Sequence, residues 1–170
     1  MRSYTSMLSA CTLSTAMFFG TAAMATDLPK EGTYKGSYTS FGTIKFIAVG
    51  KERVLTVWDE NGLSLTDGFL DHVTWHCWGT GDFTKGVGQE QGYCVGTDPA
   101  GDQIADNVHT EKHAIDSKTF VAPDMWTGGT GKFAGVTGGG PVLCHPGDFK
   151  PATEGTYFLN CDFQGSYKLP

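Results

Sequence analysis

The sequence predicts an all-β fold, a single β-barrel domain stapled by disulfides, and three observations carry that expectation. Glycine supplies 24 of the 170 residues, about twice its average usage and without a collagen period. These glycines separate short runs of Tyr, Phe, Val, Ile, Thr and Trp, which is the pattern of strands and turns. Near the C-terminus, Tyr157, Leu159, Cys161, Phe163, Tyr167 and Leu169 share one parity, while Asn160, Asp162, Gln164, Ser166 and Lys168 take the other. So long an alternation exceeds the ordinary sheet strand and suits a barrel wall. Finally, Cys77 and Cys94 are separated by the same interval as Cys144 and Cys161. Each interval fits two antiparallel strands joined by a loop.

Taken in order, the chain begins with a segment that reads as a secretory signal over residues 1–25. Arg2 gives a positive start, Met7 to Phe19 an interrupted apolar run, and Ala23-Met24-Ala25 a small-x-small cleavage site. Leu8-Ser9-Ala10-Cys11 offers a rival lipoprotein-type cut, but the better apolar run follows Cys11 rather than preceding it. Cleavage after Ala25 leaves one domain over 26–170 and an exported protein, periplasmic or secreted. It also removes Cys11, so the remaining cysteines are even in number, as a disulfide framework requires. Four cysteines allow three connectivities, and the matched intervals select Cys77–Cys94 with Cys144–Cys161. Zinc is disfavoured, because there is no C-x-x-C pair. No later segment is apolar enough for a membrane span. The net charge is −6 and the basic residues are scattered singly, which disfavours nucleic acid as a partner.

Glu31 to Ser40 alternates Tyr34, Gly36 and Tyr38 against Thr33, Lys35, Ser37 and Thr39, and Ile44, Phe46 and Ala48 continue the face. Gly50-Lys51-Glu52 reads as a turn. Arg53 to Glu60 is the next strand, with less distinct faces, and Asn61-Gly62 carries a strong turn signal. Leu63 to Leu70 has no clear assignment. Asp71 to Gly79 places Val73, Trp75 and Cys77 on one side; a glycine-broken loop over Thr80 to Gly88 leads to a partner strand from Gln89 to Thr97. Asp98 to Asp102 is a turn by composition. Gln103 to Phe120 is polar, compatible with a strand pair or a short helix. The tetrapeptide Glu31-Gly32-Thr33-Tyr34 returns as Glu154-Gly155-Thr156-Tyr157, as expected if first and last strands play equivalent parts where a barrel closes.

Gly128 to Gly140 holds seven glycines in thirteen residues. It is not a Walker loop, since Phe133 follows Lys132 where Ser or Thr is needed. Nor does it open a helix as a dinucleotide fingerprint must. A glycine-bent β-segment remains. Within it, Gly128-Gly129-Thr130-Gly131-Lys132-Phe133-Ala134-Gly135 resembles the G-G-T-G-[KR]-[FY]-x-G segment of allene oxide cyclase-like and dirigent-like barrels. The closing Gly165-Ser166-Tyr167-Lys168-Leu169 strand agrees with it. The resemblance implies an eight-stranded antiparallel barrel with an apolar lumen, assembled as a homo-oligomer, a trimer or dimer. It also implies a small, largely apolar ligand handled without a cofactor, in the manner of an isomerase or cyclase. No catalytic position of those families maps onto this chain residue by residue.

The candidate chemistry is sparse. Glu90 shares parity with Cys94, so an inward Cys94 brings Glu90 into the lumen, where desolvation raises a carboxyl pKa and suits a general base or polar anchor. Tyr38, Trp75, Tyr157 and Phe163 share the inward parity and form the expected ligand walls, Trp75 being the tryptophan whose parity fits. His109-Thr110-Glu111-Lys112-His113 invites a metal reading, but on a strand its histidines lie roughly 13 Å apart, too far for one ion. His76 and His145 adjoin cysteines, yet oxidised cysteines leave no thiolate for nucleophilic catalysis. No G-x-S-x-G elbow occurs. A non-catalytic module with a packed core is the competing expectation, decided by whether the lumen is open.

Overall fold

A computed structural model describes residues 28–147 and 155–170; the segment expected to be a signal, residues 1–25, and Glu154 lie outside them. The strands are β1 (Glu31–Val49), β2 (Arg53–Thr66), β3 (Thr74–Thr84), β4 (Val87–Thr97), β5 (Gln103–His109), β6 (His113–Ala114), β7 (Phe120–Val121), β8 (Asp124–Gly129), β9 (Thr137–Gly140), β10 (Val142–Pro146) and β11 (Gly155–Lys168). Hydrogen-bonded neighbours run β1-β2-β3-β4-β5-β8-β9-β11, and β11 pairs again with β1, so eight strands close a ring. All pairings are antiparallel. Closure leaves no free sheet edge in the ring. The seam runs from Glu31↔Lys168 to Ile44↔Gly155, so the first and last strands do close the ring, but the echoed tetrapeptides lie at its opposite ends and do not pair with each other. β6 pairs with β4, and β7 and β10 carry the wall upward beside β11.

Three segments differ from the sequence reading. Asn61-Gly62 lies inside β2 rather than at a turn, because Gly62 faces inward and the Tyr38 ring occupies the space a side chain there would need. The loop expected over Thr80 to Gly88 is instead mostly strand. β3 runs to Thr84, and Lys85 and Gly86, both at positive φ, make a two-residue turn into β4. The ambiguous 103–120 segment is β5, β6 and the start of β7, with no helix.

The glycines earn their abundance on the inner face. Gly79 and Gly92 pair directly across β3 and β4, and the Trp58 indole lies against both. Gly165 gives the same room to Tyr34. Small and large inward residues thus alternate around the wall.

At the end where β1 begins and β11 finishes, the barrel is filled. The loop after β2 turns Phe69 and Leu70 inward, and Ser64 Oγ holds it by donating to Leu70 O at 2.6 Å. Phe69 stacks on Tyr167 at 3.9 Å and meets Phe133 edge-on. Tyr34 and Trp126 complete the cluster. Phe133 comes from the glycine stretch, which is the end of β8, a 3-10 turn over Gly131–Phe133, and β9. The stretch is therefore a floor-forming wall segment.

Both disulfides join directly paired residues, Cys77–Cys94 across β3 and β4 and Cys144–Cys161 across β10 and β11. Their spans correspond to roughly 3 kcal/mol each by chain entropy.

Candidate functional site

Above the aromatic floor the lumen is open, as a cavity of about 160 Å³. A dry cavity of about 150 Å³ holds a benzene ring. Tyr38, Trp75, Glu90, Tyr157 and Phe163 all line it. They do not play equal parts. Phe163 packs on Tyr34 at 5.8 Å and belongs partly to the floor. Trp75 donates its indole N–H to Ser64 Oγ at 3.0 Å and stacks on Trp126. Tyr38 and Tyr157 belong to a polar group that the sequence reading missed.

That group centres on Glu60 of β2, only 6% exposed. Tyr38 Oη donates to Glu60 Oε1 at 3.0 Å, while Ser40 Oγ and Tyr157 Oη donate to Oε2 at 2.9 and 2.8 Å. Burial pushes the Glu60 carboxyl up; the three donors pull it back. Both phenols are held well above their ordinary range by burial and by Glu60, so they remain donors. Glu60 was hidden because Asn61-Gly62 read as a turn and β2 showed no clear face. The parity of Trp58, Glu60, Gly62 and Ser64 was the available signal.

Glu90 faces inward without a bulge, paired with Gly81. Thr56 Oγ1 donates to Glu90 Oε1 at 3.1 Å. Desolvation pushes its pKa up to about 7, the Thr56 hydrogen bond opposes this, and Glu60 adds to it. A third acidic element lies on the strands that follow β4 around the wall, Asp106 of β5 with Asp124 of β8. Burial raises both, and a hydrogen bond joins them: Asp106 pushes Asp124 up further, while the bond from Asp124 draws Asp106 back down. Two carboxyls so placed share a proton. Asp106 Oδ1 also accepts the Cys94 N–H at 3.1 Å.

Two further polar atoms on the cavity wall have no partner among the described residues, Trp58 Nε1 and His113 Nε2, while the Trp126 indole N–H is directed at the Tyr34 phenol. Trp75 is thus not alone in facing inward; Trp58 and Trp126 are 9% and 5% exposed. His113 Nδ1 lies 2.9 Å from Ala114 O, which makes Nδ1 the donor and leaves Nε2 an acceptor in the neutral ring. His76 sits outside, hydrogen-bonded to Asp59 at 2.9 Å, and His145 is exposed. Among the described residues no group of three His, Cys, Asp or Glu is arranged to hold a metal ion.

This architecture is the dirigent-like β-barrel fold. The pterocarpan synthase dirigent protein GePTS1 superposes with a TM-score of 0.52 at 11% identity, covering 91% of this chain and all of that one. A second pterocarpan synthase dirigent protein, PsPTS1, gives 0.46 at 12% identity over 81% and 96% of the two chains. No family model and no curated protein matches the sequence. At such identity the likeness concerns the fold alone.

Proposed function

We propose that the protein is an exported binder of one small molecule with a ring-sized apolar body, held in the upper lumen between Tyr38, Trp75, Tyr157 and Phe163, with Glu90 as its polar anchor. The observation that carries this reading is the open cavity above a filled floor, apolar in its walls but set with a few convergent polar groups. A barrel with only a packing role would gain stability by filling that space. Export is supported by the two disulfides, which persist in oxidising compartments.

A second reading has its own support. Glu90 titrates near neutrality, where a carboxyl both takes and gives protons, and so suits cofactor-independent isomerisation or cyclisation of the bound molecule. Native mass spectrometry of protein purified from its own source tests the binding reading. A retained species of one defined mass, lost on unfolding, is expected. A bare chain mass, together with no saturable binding across a library of ring-sized compounds, would overturn it. Turnover of the recovered ligand, abolished in Glu90→Gln, separates catalysis from binding.

A further inference from the structure

Four carboxyl groups face one small lumen, and among the described residues no permanent cation is set between them. Glu60, Glu90, Asp106 and Asp124 all line the cavity, whereas among the described residues Lys118 is its only Lys or Arg, exposed beside Asp116. Proteins rarely bury an acid without a paired cation or a full set of donors, because the ionised form is costly there. Glu60 has its donors. Glu90 and the Asp106–Asp124 pair are under-supplied, and protons stand where positive charge would otherwise be.

The rest of the wall points the same way. The Trp58 and Trp126 indoles, each over nine-tenths buried, border the cavity, and the Trp58 N–H has no partner among the described residues. His113 Nε2 adds a buried lone pair with no donor. An ammonium group is all donor and no acceptor, and it is attracted to tryptophan faces. The Trp58 N–H remains for an acceptor elsewhere on the same molecule.

Resting on the binding reading above, we propose that the lumen ligand is an organic cation, a protonated amine carried on a ring-sized body. Its ammonium sits among Glu90, Asp106 and Asp124 and displaces a proton from them. The displaced proton leaves to solvent, so one positive charge replaces another and the lumen stays near neutral. Glu90 is faced by the Thr56 hydroxyl and by Glu60 on β2 and by Tyr157 on β11, with His113 of β6 on the same cavity wall. Asp106 and Asp124 lie beyond them, with Lys118 and Asp116 at the rim. Binding should therefore strengthen as pH rises toward neutrality, and weaken again when the amine itself deprotonates.

The test is titration calorimetry of the intact protein at pH 6 with benzylamine, benzyl alcohol and benzoate, in two buffers of different ionisation enthalpy. Benzylammonium should bind at least tenfold more tightly than benzyl alcohol, benzoate more weakly than either, with proton release on amine binding. In Glu90→Gln and in Asp106→Asn the amine-to-alcohol preference should fall several-fold and proton release should shrink. Equal binding of amine and alcohol, or tighter binding of benzoate, would overturn the cation assignment while leaving a lumen ligand in place. Amine binding without proton release, unchanged in both variants, would place the cation outside the acidic lumen and also overturn it. Failure of all three compounds to bind would remove both the assignment and the binding reading beneath it.

Discussion

Glu90 shows what a single buried acid does to stability. Its folded pKa stands near 7 against an ordinary 4.5, so the folded state holds the proton more tightly than the unfolded chain. Stability from this group is greatest below about pH 4.5, falls as pH rises through 7, and then levels off. The full loss is bounded at roughly 3 kcal/mol. Glu90→Gln, which cannot ionise, should match the parent near pH 5 and exceed it by about 1–3 kcal/mol at pH 8. Urea unfolding at both pH values checks this. A variant less stable than the parent at pH 8 would mean that Glu90 is ionised and paired in the folded protein.

Glycines and disulfides act on whole strands. A methyl at Gly62 would meet the Tyr38 ring and the Thr39 carbonyl, while at Gly68 it meets nothing within 4 Å and the backbone is not left-handed. Gly62→Ala should therefore cost about 1–3 kcal/mol by overpacking. It should also loosen Tyr38 from Glu60. Gly68→Ala should stay within about 0.5 kcal/mol of the parent. Thermal melts of the two variants make the comparison, and equal midpoints would remove the packing role given to the inward glycines. The strand reading from sequence was sound for β1, β4 and β11, where one parity is mostly apolar or glycine, with Ser40 and Glu90 the inward polar exceptions. It failed at β2, because Leu55 and Val57 face outward while Trp58 and Glu60 face inward. An apolar residue on a solvent face costs little, so alternation alone could not orient that strand.

For the whole molecule, the division into filled floor and open upper lumen is the main result. Phe69 closes the floor from a loop, stacked on Tyr167 and edge-on to Phe133. Phe69→Ala should cost about 3–5 kcal/mol and extend the cavity downward. Longer ring compounds should then bind that the parent excludes, measured by displacement of an environment-sensitive dye. If the variant folds with no loss of stability, the floor is not the closure described above.

The sequence by itself determined the fold class, the cysteine pairing and the inward parity of Tyr38, Trp75, Glu90, Tyr157 and Phe163. Each of these follows from the two-residue period of a strand and from short-range spacing, which are local properties of the chain. Only the tertiary structure decided which inward residues meet. Glu60 and Tyr157 are distant in sequence yet 2.8 Å apart, and Asp106 joins Asp124 through β5 and β8. Whether the lumen is open was equally beyond local pattern, because it depends on Phe69 and Phe133 arriving from two separate loops. Periodicity says which way a side chain points. What it finds there is set by closure of the ring.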